Sequence, residues 1–286
     1  MKELGPSLIE AAPWIDAFAG RTILVKLGGD VLARPTSTKR IVDQLATMSR
    51  CGIPLIVVHG AGAQIDAACR ERNIPIEKVD GRRITSPEAR DVIVDVLAGL
   101  NRDLCDQLVE AAQMVHGFDD GATQLIRAVR RPPRDMDGRP VDFGEVGDIV
   151  EVRIEEWDRN SILVLPSLAV DEGGQYLNVN ADTVASTVAI AADCIKIVFL
   201  TSVAGIMMSP DDPGPVSTMT HQHATEILAS GAVSGGMKAK LQECLRALEG
   251  HVSEVHIISG RGSFTLLREV FTDEGCGTLI TRDEME

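Results

Sequence analysis

Lysines stand next to glycine-rich segments at two distant places in the chain. Lys26 lies near the end of an apolar run and precedes Gly28 and Gly29, while Lys240 follows a glycine-rich loop that contains Gly236. Glycines let backbone N–H groups approach phosphate oxygens, and a helix that begins there adds its positive end. Lysine in the first turns of a helix is unfavourable for the helix dipole, so a bound polyanion would explain Lys240. The alternatives are a tight turn with a snorkelling lysine at Lys26 and a merely solvated pair of lysines, Lys238 and Lys240, in the second segment.

Another strand-to-helix turn, His59-Gly-Ala-Gly62, offers bare backbone to an anion. It half matches the fingerprint of dinucleotide-binding proteins, with Asp80 near the position of a ribose-binding acid. Ile65 occupies the place of the third glycine, which argues against a nucleotide-cofactor oxidoreductase. No G-x-x-x-x-G-K-[ST] segment occurs, so a P-loop is excluded.

Polar side chains at two further places could bind a small acid. Arg83 lies ahead of a long predicted helix, and its guanidinium could hold a carboxylate through two hydrogen bonds. Asn178 and Asn180 fall on the same side of a predicted strand that runs into a helix beginning near Asp182. The alternatives are a solvated arginine beside a turn and an aspartate that only caps its helix.

Continuous apolar runs indicate the strands that position these residues, because strands buried on both faces are typical of parallel sheets. The main runs are Thr22 to Leu27, Pro54 to Val58, Ile162 to Leu165 and Lys196 to Thr201. Helical patterns alternate with them, including one that starts with Ser86 and Pro87. The alternation predicts an α/β fold, a three-layer α/β/α sandwich with a central, mainly parallel open sheet. The region near residue 150 is the expected seam between two lobes.

Composition excludes several classes of protein. The 286 residues carry a net charge of −14 and only 3% aromatic residues, which disfavours nucleic acid as a partner. No apolar run approaches the roughly 18 residues of a membrane-spanning helix, and the N-terminus lacks a signal-peptide pattern. The six cysteines are scattered, and His221 and His223 lack partners at metal-binding spacing, so we expect a cytoplasmic protein without disulfides or a metal site.

Taken in order, these motifs resemble the amino acid kinase family, most closely the arginine-sensitive acetylglutamate kinases that carry an N-terminal helix. The resemblance extends from about Leu8 to Thr281, nearly the whole chain. Its most specific stretches are Lys26-Leu-Gly-Gly29, Val57-Val-His-Gly60, Gly81-Arg-Arg-Ile-Thr85, Asn178-Val-Asn-Ala-Asp182, Ser234-Gly-Gly-Met237 with Lys240, Phe271-Thr-Asp-Glu-Gly275, and Gly277-Thr278.

The resemblance implies an ATP-dependent kinase of arginine biosynthesis. Such an enzyme phosphorylates the side-chain carboxylate of N-acetyl-L-glutamate, or of a similar acidic amino-acid derivative, to an acyl phosphate. Mg²⁺ would bridge the nucleotide phosphates without a dedicated protein cage. The resemblance further implies that residues 1–20 form an oligomerisation helix, that residues 21–160 bind the acid and that residues 161–286 bind the nucleotide. A homo-oligomer, either a dimer or a hexamer, is therefore expected.

Roles for single residues follow from the same resemblance. Lys26 and Lys240 would neutralise charge on the transferring phosphoryl group, and Asp182 would hold the two lysines in place. The acid would be bound by Gly60, Ala61, Arg83 and Asn178. The nucleotide would be bound by Gly28, Gly29, Thr201, Gly236 and Lys240.

Departures from the family pattern keep other functions open. Ala61 stands where a third glycine is usual, and Ser202 stands where an aspartate is common. A glycine-rich segment after the long helix reads Gly117-Phe-Asp-Asp-Gly121. The alternatives are a paralogue that acts on another acid and a non-catalytic or regulatory protein that binds small molecules on the same fold.

Overall fold

A computed structural model describes residues 5–79, 82–136, 138–208 and 214–282, so Asp80 and Gly81 of the sequence motifs lie outside the described residues. The helices are α1 Leu8–Phe18, α2 Gly29–Leu32, α3 Pro35–Arg50, α4 Gly62–Glu71, α5 Pro87–Glu110, α6 Ala181–Ala191, α7 His221–Ser230, α8 Gly235–Glu249 and α9 Thr265–Phe271. The strands are β1 Ile23–Leu27, β2 Leu55–His59, β3 Glu77–Val79, β4 Arg82–Ile84, β5 Val115–His116, β6 Ile126–Arg130, β7 Arg134–Met136, β8 Arg139–Val141, β9 Gly147–Val152, β10 Ile162–Pro166, β11 Leu168–Val170, β12 Tyr176–Asn178, β13 Lys196–Thr201, β14 Thr218–Thr220, β15 Glu254–Ser259 and β16 Thr278–Thr281.

An eight-stranded sheet forms the centre of the molecule, in the order β14-β16-β15-β13-β1-β2-β10-β5. Its neighbouring strands run parallel except for the antiparallel pair β15 and β16. Every residue of β1, β2, β10 and β13 is buried, which explains why these segments are almost continuously apolar.

Helices cover both faces of this sheet. Leu24 belongs to a core that contains side chains of α6, α7 and α8, whereas its neighbours Ile23 and Val25 belong to a core with side chains of α1, α3, α5 and α9. Successive side chains of a strand point to opposite faces, so Lys26 shares the face of Leu24, toward α6 and α8. The predicted three-layer sandwich with a mainly parallel sheet is confirmed.

A second, four-stranded sheet in the order β12-β11-β6-β9 lies beside the first, together with the hairpins β3–β4 and β7–β8. Bridges between Thr85 and Gly144, and between Val146 and Asn178, join the end of β4 to this sheet. Gly144 has a φ of +70°, and a Cβ there would collide with the carbonyl oxygen of Thr85. A glycine is therefore required where the segment after β8 passes β4.

The two predicted lobes share the central sheet. Strand β10, from the second predicted lobe, lies between β2 and β5 of the first, and β13 pairs with β1. That residues 21–160 bind the acid and residues 161–286 bind the nucleotide stays a prediction. Among the described residues, no helix is both long enough and apolar enough to cross a membrane.

Candidate active site

Glycine-rich turns meet at the carboxyl ends of β1 and β2. A Cβ on Gly29 would lie 2.9 Å from the Cα of Ala61 and 2.9 Å from the backbone nitrogen of Gly62, so the turns touch through bare backbone. Nε2 of Gln64 stabilises this contact by donating a hydrogen bond to the carbonyl oxygen of Gly29 at 2.6 Å. A Cβ on Gly60 would be 3.2 Å from that of Ala181, which brings the start of α6 to the same place.

Asp182, in the first turn of α6, bridges the two lysines of the glycine-rich segments. Its Oδ1 lies 2.8 Å from Nζ of Lys26, and its Oδ2 accepts a hydrogen bond from Nζ of Lys240 at 2.7 Å. The side chains are only 10–13% exposed. The predicted catalytic residues are therefore brought together, and neither lysine is a solvated surface group.

The N-cap of α6 is Asn180, whose Oδ1 accepts hydrogen bonds from the backbone N–H groups of Asp182 and Thr183 at 2.8 and 3.2 Å. The alternative interpretation of Asp182 as a helix cap is therefore wrong. Because the cap is already provided, the carboxylate of Asp182 is available to the two ammonium groups.

Burial and charge act against each other in this group. Burial alone would raise the pKa of Asp182, but Lys26 and Lys240 outweigh that effect and hold the pKa far below its ordinary value. Burial lowers the pKa of Lys26, and the neighbouring Lys240 lowers it further, while Asp182 opposes both effects. Nζ of Lys240 also lies 4.9 Å from the ring centre of Phe199, whose π-face favours the charged lysine.

The predicted nucleotide residues lie on the segments that carry or adjoin these cations. The N–H of Gly28 donates to the carbonyl oxygen of Leu200, which places this turn beside Thr201 at the end of β13. The hydroxyl of Thr201 closes a short turn by accepting from the N–H of Val203 at 3.0 Å. Gly236 is exposed in the first turn of α8, one helical turn before Lys240. Two buried cations beside bare glycine turns suit the phosphates of a nucleotide.

The predicted acid-binding side chains lie on the second sheet and its adjoining hairpin. Asn178 of β12 donates to the hydroxyl of Thr85 at 3.1 Å, just beyond β4. Arg83 of β4 is largely buried and forms an ion pair with Asp66 of α4. Arg83 and Thr85 fall on the same side of the extended chain, so Asn178 is linked to the arginine through Thr85.

The replacement of glycine by alanine at position 61 leaves the turn intact. Ala61 has a φ of −145°, which any residue can adopt, and its side chain packs with Ile65 and Leu168. The backbone of the turn can therefore adopt the conformation expected of the glycine-rich pattern with alanine at position 61.

The departure at Gly117-Phe-Asp-Asp-Gly121 serves packing against α5. The N–H of Phe118 donates to Oδ1 of Asn101 at 2.8 Å, and Arg102 donates twice to Asp119, at 2.7 and 2.9 Å. Ser202 directly follows β13 and puts a hydroxyl where family members commonly carry a carboxylate.

Sequence reasoning missed the buried pair His59 and Asn101. Nδ2 of Asn101 lies 3.0 Å from Nε2 of His59 and donates to the carbonyl oxygen of Val164 at 3.1 Å. Because Oδ1 of Asn101 faces the N–H of Phe118, its amide nitrogen faces His59, and Nε2 must accept. Burial lowers the pKa of His59 to about 4. The available signal was an asparagine on the apolar face of α5, where Leu97 and Leu104 are also buried.

Within the described ranges, no group of three or more His, Cys, Asp and Glu side chains is placed to hold a metal ion.

Residues 21–259 match the amino acid kinase family. The chain belongs to the amino acid kinase family. Within that family it is 38% identical over 282 residues to the acetylglutamate kinase of Symbiobacterium thermophilum, an alignment that covers 96% of each chain. It is 37% identical over 292 residues to the acetylglutamate kinase of Myxococcus xanthus, covering 98% of this chain and 95% of that one.

The amino acid kinase fold is also found in solved structures. The N-acetylglutamate synthase of Neisseria gonorrhoeae, complexed with coenzyme A and N-acetyl-glutamate, superposes with a TM-score of 0.84 at 24% sequence identity. The superposition covers 97% of this chain, which spans only 63% of that synthase chain. The likeness shows the fold alone, whereas the sequence match to the kinases over the full length favours phosphoryl transfer over a dinucleotide-dependent reaction.

Proposed function

We propose that this chain is an N-acetyl-L-glutamate kinase of arginine biosynthesis. The observation that carries the proposal is the carboxylate of Asp182 between the ammonium groups of Lys26 and Lys240, beside glycine turns that meet through bare backbone. Curated kinases of this name that match over nearly the whole chain support the same conclusion.

The reaction needs charge and position more than a covalent intermediate. An oxygen of the acid's side-chain carboxylate attacks the γ-phosphorus of ATP, the new oxygen–phosphorus bond gives an acyl phosphate, and the electrons of the broken bond leave with ADP. A carboxylic acid with an ordinary pKa near 4 is already ionised at pH 7, so no general base is required.

The residues divide this work between charge stabilisation and orientation. Lys26 and Lys240 stabilise negative charge on the transferring group, and Asp182 holds the two ammonium groups in place. Gly28, Gly29, Thr201 and Gly236 would hold the nucleotide phosphates and adjoining groups. Mg²⁺, when bound to the nucleotide, supplies further positive charge to the phosphate oxygens.

The acid occupies the side of the site formed by β2, β4 and β12. Arg83 pairs with its free carboxylate, Asn178 binds its amide end, and the turn at Gly60 and Ala61 donates backbone N–H groups to the reacting carboxylate. The substrate is thereby held at both ends, which supplies the near-attack geometry that phosphoryl transfer requires.

The test is product trapping with hydroxylamine, which converts an acyl phosphate to a hydroxamate. Purified protein receives ATP, Mg²⁺ and one acid from a panel of N-acetylglutamate, N-acetylaspartate and glutamate, and ADP release is followed in parallel. We expect hydroxamate chiefly from N-acetylglutamate, and none from the matched variant Lys240→Met. Folded wild-type protein that yields no hydroxamate from any acid would rule out a kinase for these acids.

Ser202 favours a second candidate, a regulatory protein that binds small molecules on the same fold without turnover. Thermal stability distinguishes the two, because a ligand that binds the native state raises the melting temperature. Stabilisation by ATP and N-acetylglutamate together with hydroxamate formation supports the kinase, whereas stabilisation by an effector alone without product supports the regulator.

We further propose that the enzyme acts in the cytoplasm as a homo-oligomer, either a dimer or a hexamer. The exposed apolar residues at the start of α1, Leu8 and Ile9, support an assembly in which this helix is covered by another subunit.

A further inference from the structure

Asp66, in the second turn of α4, bridges two cations of the β3–β4 hairpin. Its Oδ1 accepts a hydrogen bond from Nη2 of Arg83, and its Oδ2 accepts one from Nζ of Lys78 at 2.8 Å. The side chain of Arg83 is 11% exposed, that of Asp66 21% and that of Lys78 43%. A helix that begins in the glycine turn thus holds a separate hairpin through one carboxylate.

The charges of this group match those of Lys26, Asp182 and Lys240, which together are called the phosphoryl site. One carboxylate lies between two cations in each group, which leaves a net single positive charge in both. Partial burial alone would raise the pKa of Asp66, but hydrogen bonds from Lys78 and Arg83 outweigh it and lower the pKa below its ordinary value. Asp66 is therefore ionised at neutral pH.

We propose that Asp66 is a positioning residue that orients the guanidinium of Arg83 for the carboxylate of the acid and fixes the β3–β4 hairpin against α4. This inference rests on the proposed function, because it takes Arg83 as the group that binds the acid. Asp66 itself need not touch the substrate.

Asp66 can orient Arg83 without occupying it. A guanidinium has five N–H donors in a rigid plane, and the contact with Asp66 uses one edge through Nη2. The remaining donors stay in a fixed plane for a second carboxylate. Since the arginine is immobilised before the acid arrives, less side-chain entropy is lost on binding.

Lys78 keeps the group attractive to an anion. With Arg83 and Asp66 alone the charges would cancel, and the approaching acid would meet no net positive charge. The ammonium group on the second oxygen of Asp66 restores one positive charge.

Helix α4 also fixes the spacing between the two ends of the acid. The helix begins at Gly62, directly after the turn proposed for the reacting carboxylate, and carries Asp66 four residues later. One rigid helix therefore fixes the distance between Arg83 and that turn. A change at Asp66 should act on acid binding and leave the phosphoryl site unchanged.

The kinetic test compares Asp66→Asn with a matched ion-pair variant, Asp95→Asn. Asp95 of α5 pairs with Arg72 at 3.2 Å and is exposed. We expect Asp66→Asn to raise KM for N-acetylglutamate about three- to tenfold, the cost of ordering one or two side chains. Its kcat and its KM for ATP should stay within about twofold of wild type, and Asp95→Asn should change none of these values.

Asp66→Glu, which restores the negative charge, should recover part of the lost affinity, and Lys78→Gln should raise KM for the acid by a smaller factor than Asp66→Asn. A KM for the acid that is unchanged in Asp66→Asn overturns the proposal. Equal losses of kcat in Asp66→Asn and Asp66→Glu, with KM unchanged, would overturn it as well.

A second measurement does not depend on turnover. NMR of the side-chain nitrogens of Arg83 reports how fast the guanidinium rotates in the protein without substrate. We expect restricted rotation in wild type and in Asp95→Asn, and fast rotation in Asp66→Asn. If wild type phosphorylates no acid, the proposed function fails, and this experiment still decides the role of Asp66: rotation that is equal in wild type and Asp66→Asn overturns it.

Discussion

At the scale of single residues, charge stabilisation and substrate binding are assigned to different side chains. The buried group of Lys26, Asp182 and Lys240 stabilises charge, whereas Arg83 binds the acid. Lys26→Ala and Lys240→Ala should each lower kcat by about 10²–10³, because a preorganised charge acts chiefly on the transition state.

Arg83→Ala should mainly raise KM for the acid, since its contact already exists in the ground state. Steady-state kinetics with either substrate varied measures both effects. If Arg83→Ala left KM for the acid unchanged, Arg83 would not be the carboxylate-binding residue.

A different residue, His59, should make stability depend on pH. Its pKa is about 4 in the folded protein and about 6.5 when unfolded, so the unfolded chain binds the proton more readily. The free energy of unfolding should therefore fall as pH is lowered from about 6.5 to about 4, by on the order of 3 kcal/mol from this group. Urea denaturation at several pH values in this range measures the free energy of unfolding. Its slope against pH should be shallower for His59→Gln than for wild type.

Comparison of wild type and His59→Gln at pH 8, where the histidine is neutral in both states, isolates the effect of the changed packing. If the free energy of unfolding depended on pH with the same slope in both proteins below pH 6.5, the folded protein would not disfavour protonation of His59.

The chemistry-bearing residues differ in how readily their roles could be predicted from the chain. Lys26 and Asp182 were found because each stands where a strand or helix begins or ends, and parallel topology brings such ends together. Asp66 was missed because an aspartate on an amphipathic helix has the ordinary pattern of a solvated residue. Only the structure shows that the β3–β4 hairpin places Arg83 and Lys78 against it.

At the scale of elements, β4 depends on the segment that follows β8. The N–H of Thr85 donates to the carbonyl oxygen of Phe143, and its carbonyl oxygen accepts from the N–H of Glu145. Gly144→Ala should destabilise the protein by about 2–4 kcal/mol, because a left-handed φ is joined by a collision with Thr85. KM for the acid should rise as well, since Thr85 links β4 to Asn178.

Gly20→Ala provides the control for that change. Gly20 has a similar φ of +74°, but a Cβ there would have no neighbour within 4 Å among the residues that the structure describes. Its cost should be about 1–2 kcal/mol, with KM unchanged. Chemical denaturation and kinetics of both variants measure the difference, and equal effects would show that the contact with Thr85 is unimportant.

Element types in the central sheet follow from local patterns, whereas strand order does not. Apolar runs predicted the ends of β1, β2, β10 and β13 to within one residue, because burial on both faces leaves a strong signature. The separate sheet that contains β6 and β9 could not be derived, because short alternating strands do not specify their neighbours.

At the scale of the whole molecule, α1 should govern assembly. Ala11 and Phe18 pack into the body of the protein, while Leu8 and Ile9 are 85% and 90% exposed. Deleting residues through Ala19 should lower the mass measured by light scattering. The variant Leu8→Asp with Ile9→Asp tests the same face while leaving Phe18 in place. An unchanged mass in both proteins would exclude α1 from the subunit interface.

The insertion of β10 between β2 and β5 also determines when the protein can fold during synthesis. Until residues 162–166 leave the ribosome, β2 lacks its neighbour on one side, and β1 waits for residues 196–201 on the other. The nascent chain therefore carries unpaired apolar strand edges until residues 196–201 have emerged, a state prone to aggregation. We expect codon changes that slow elongation just before residue 162 to lower the soluble yield, whereas synonymous changes there that leave the elongation rate unaltered should not.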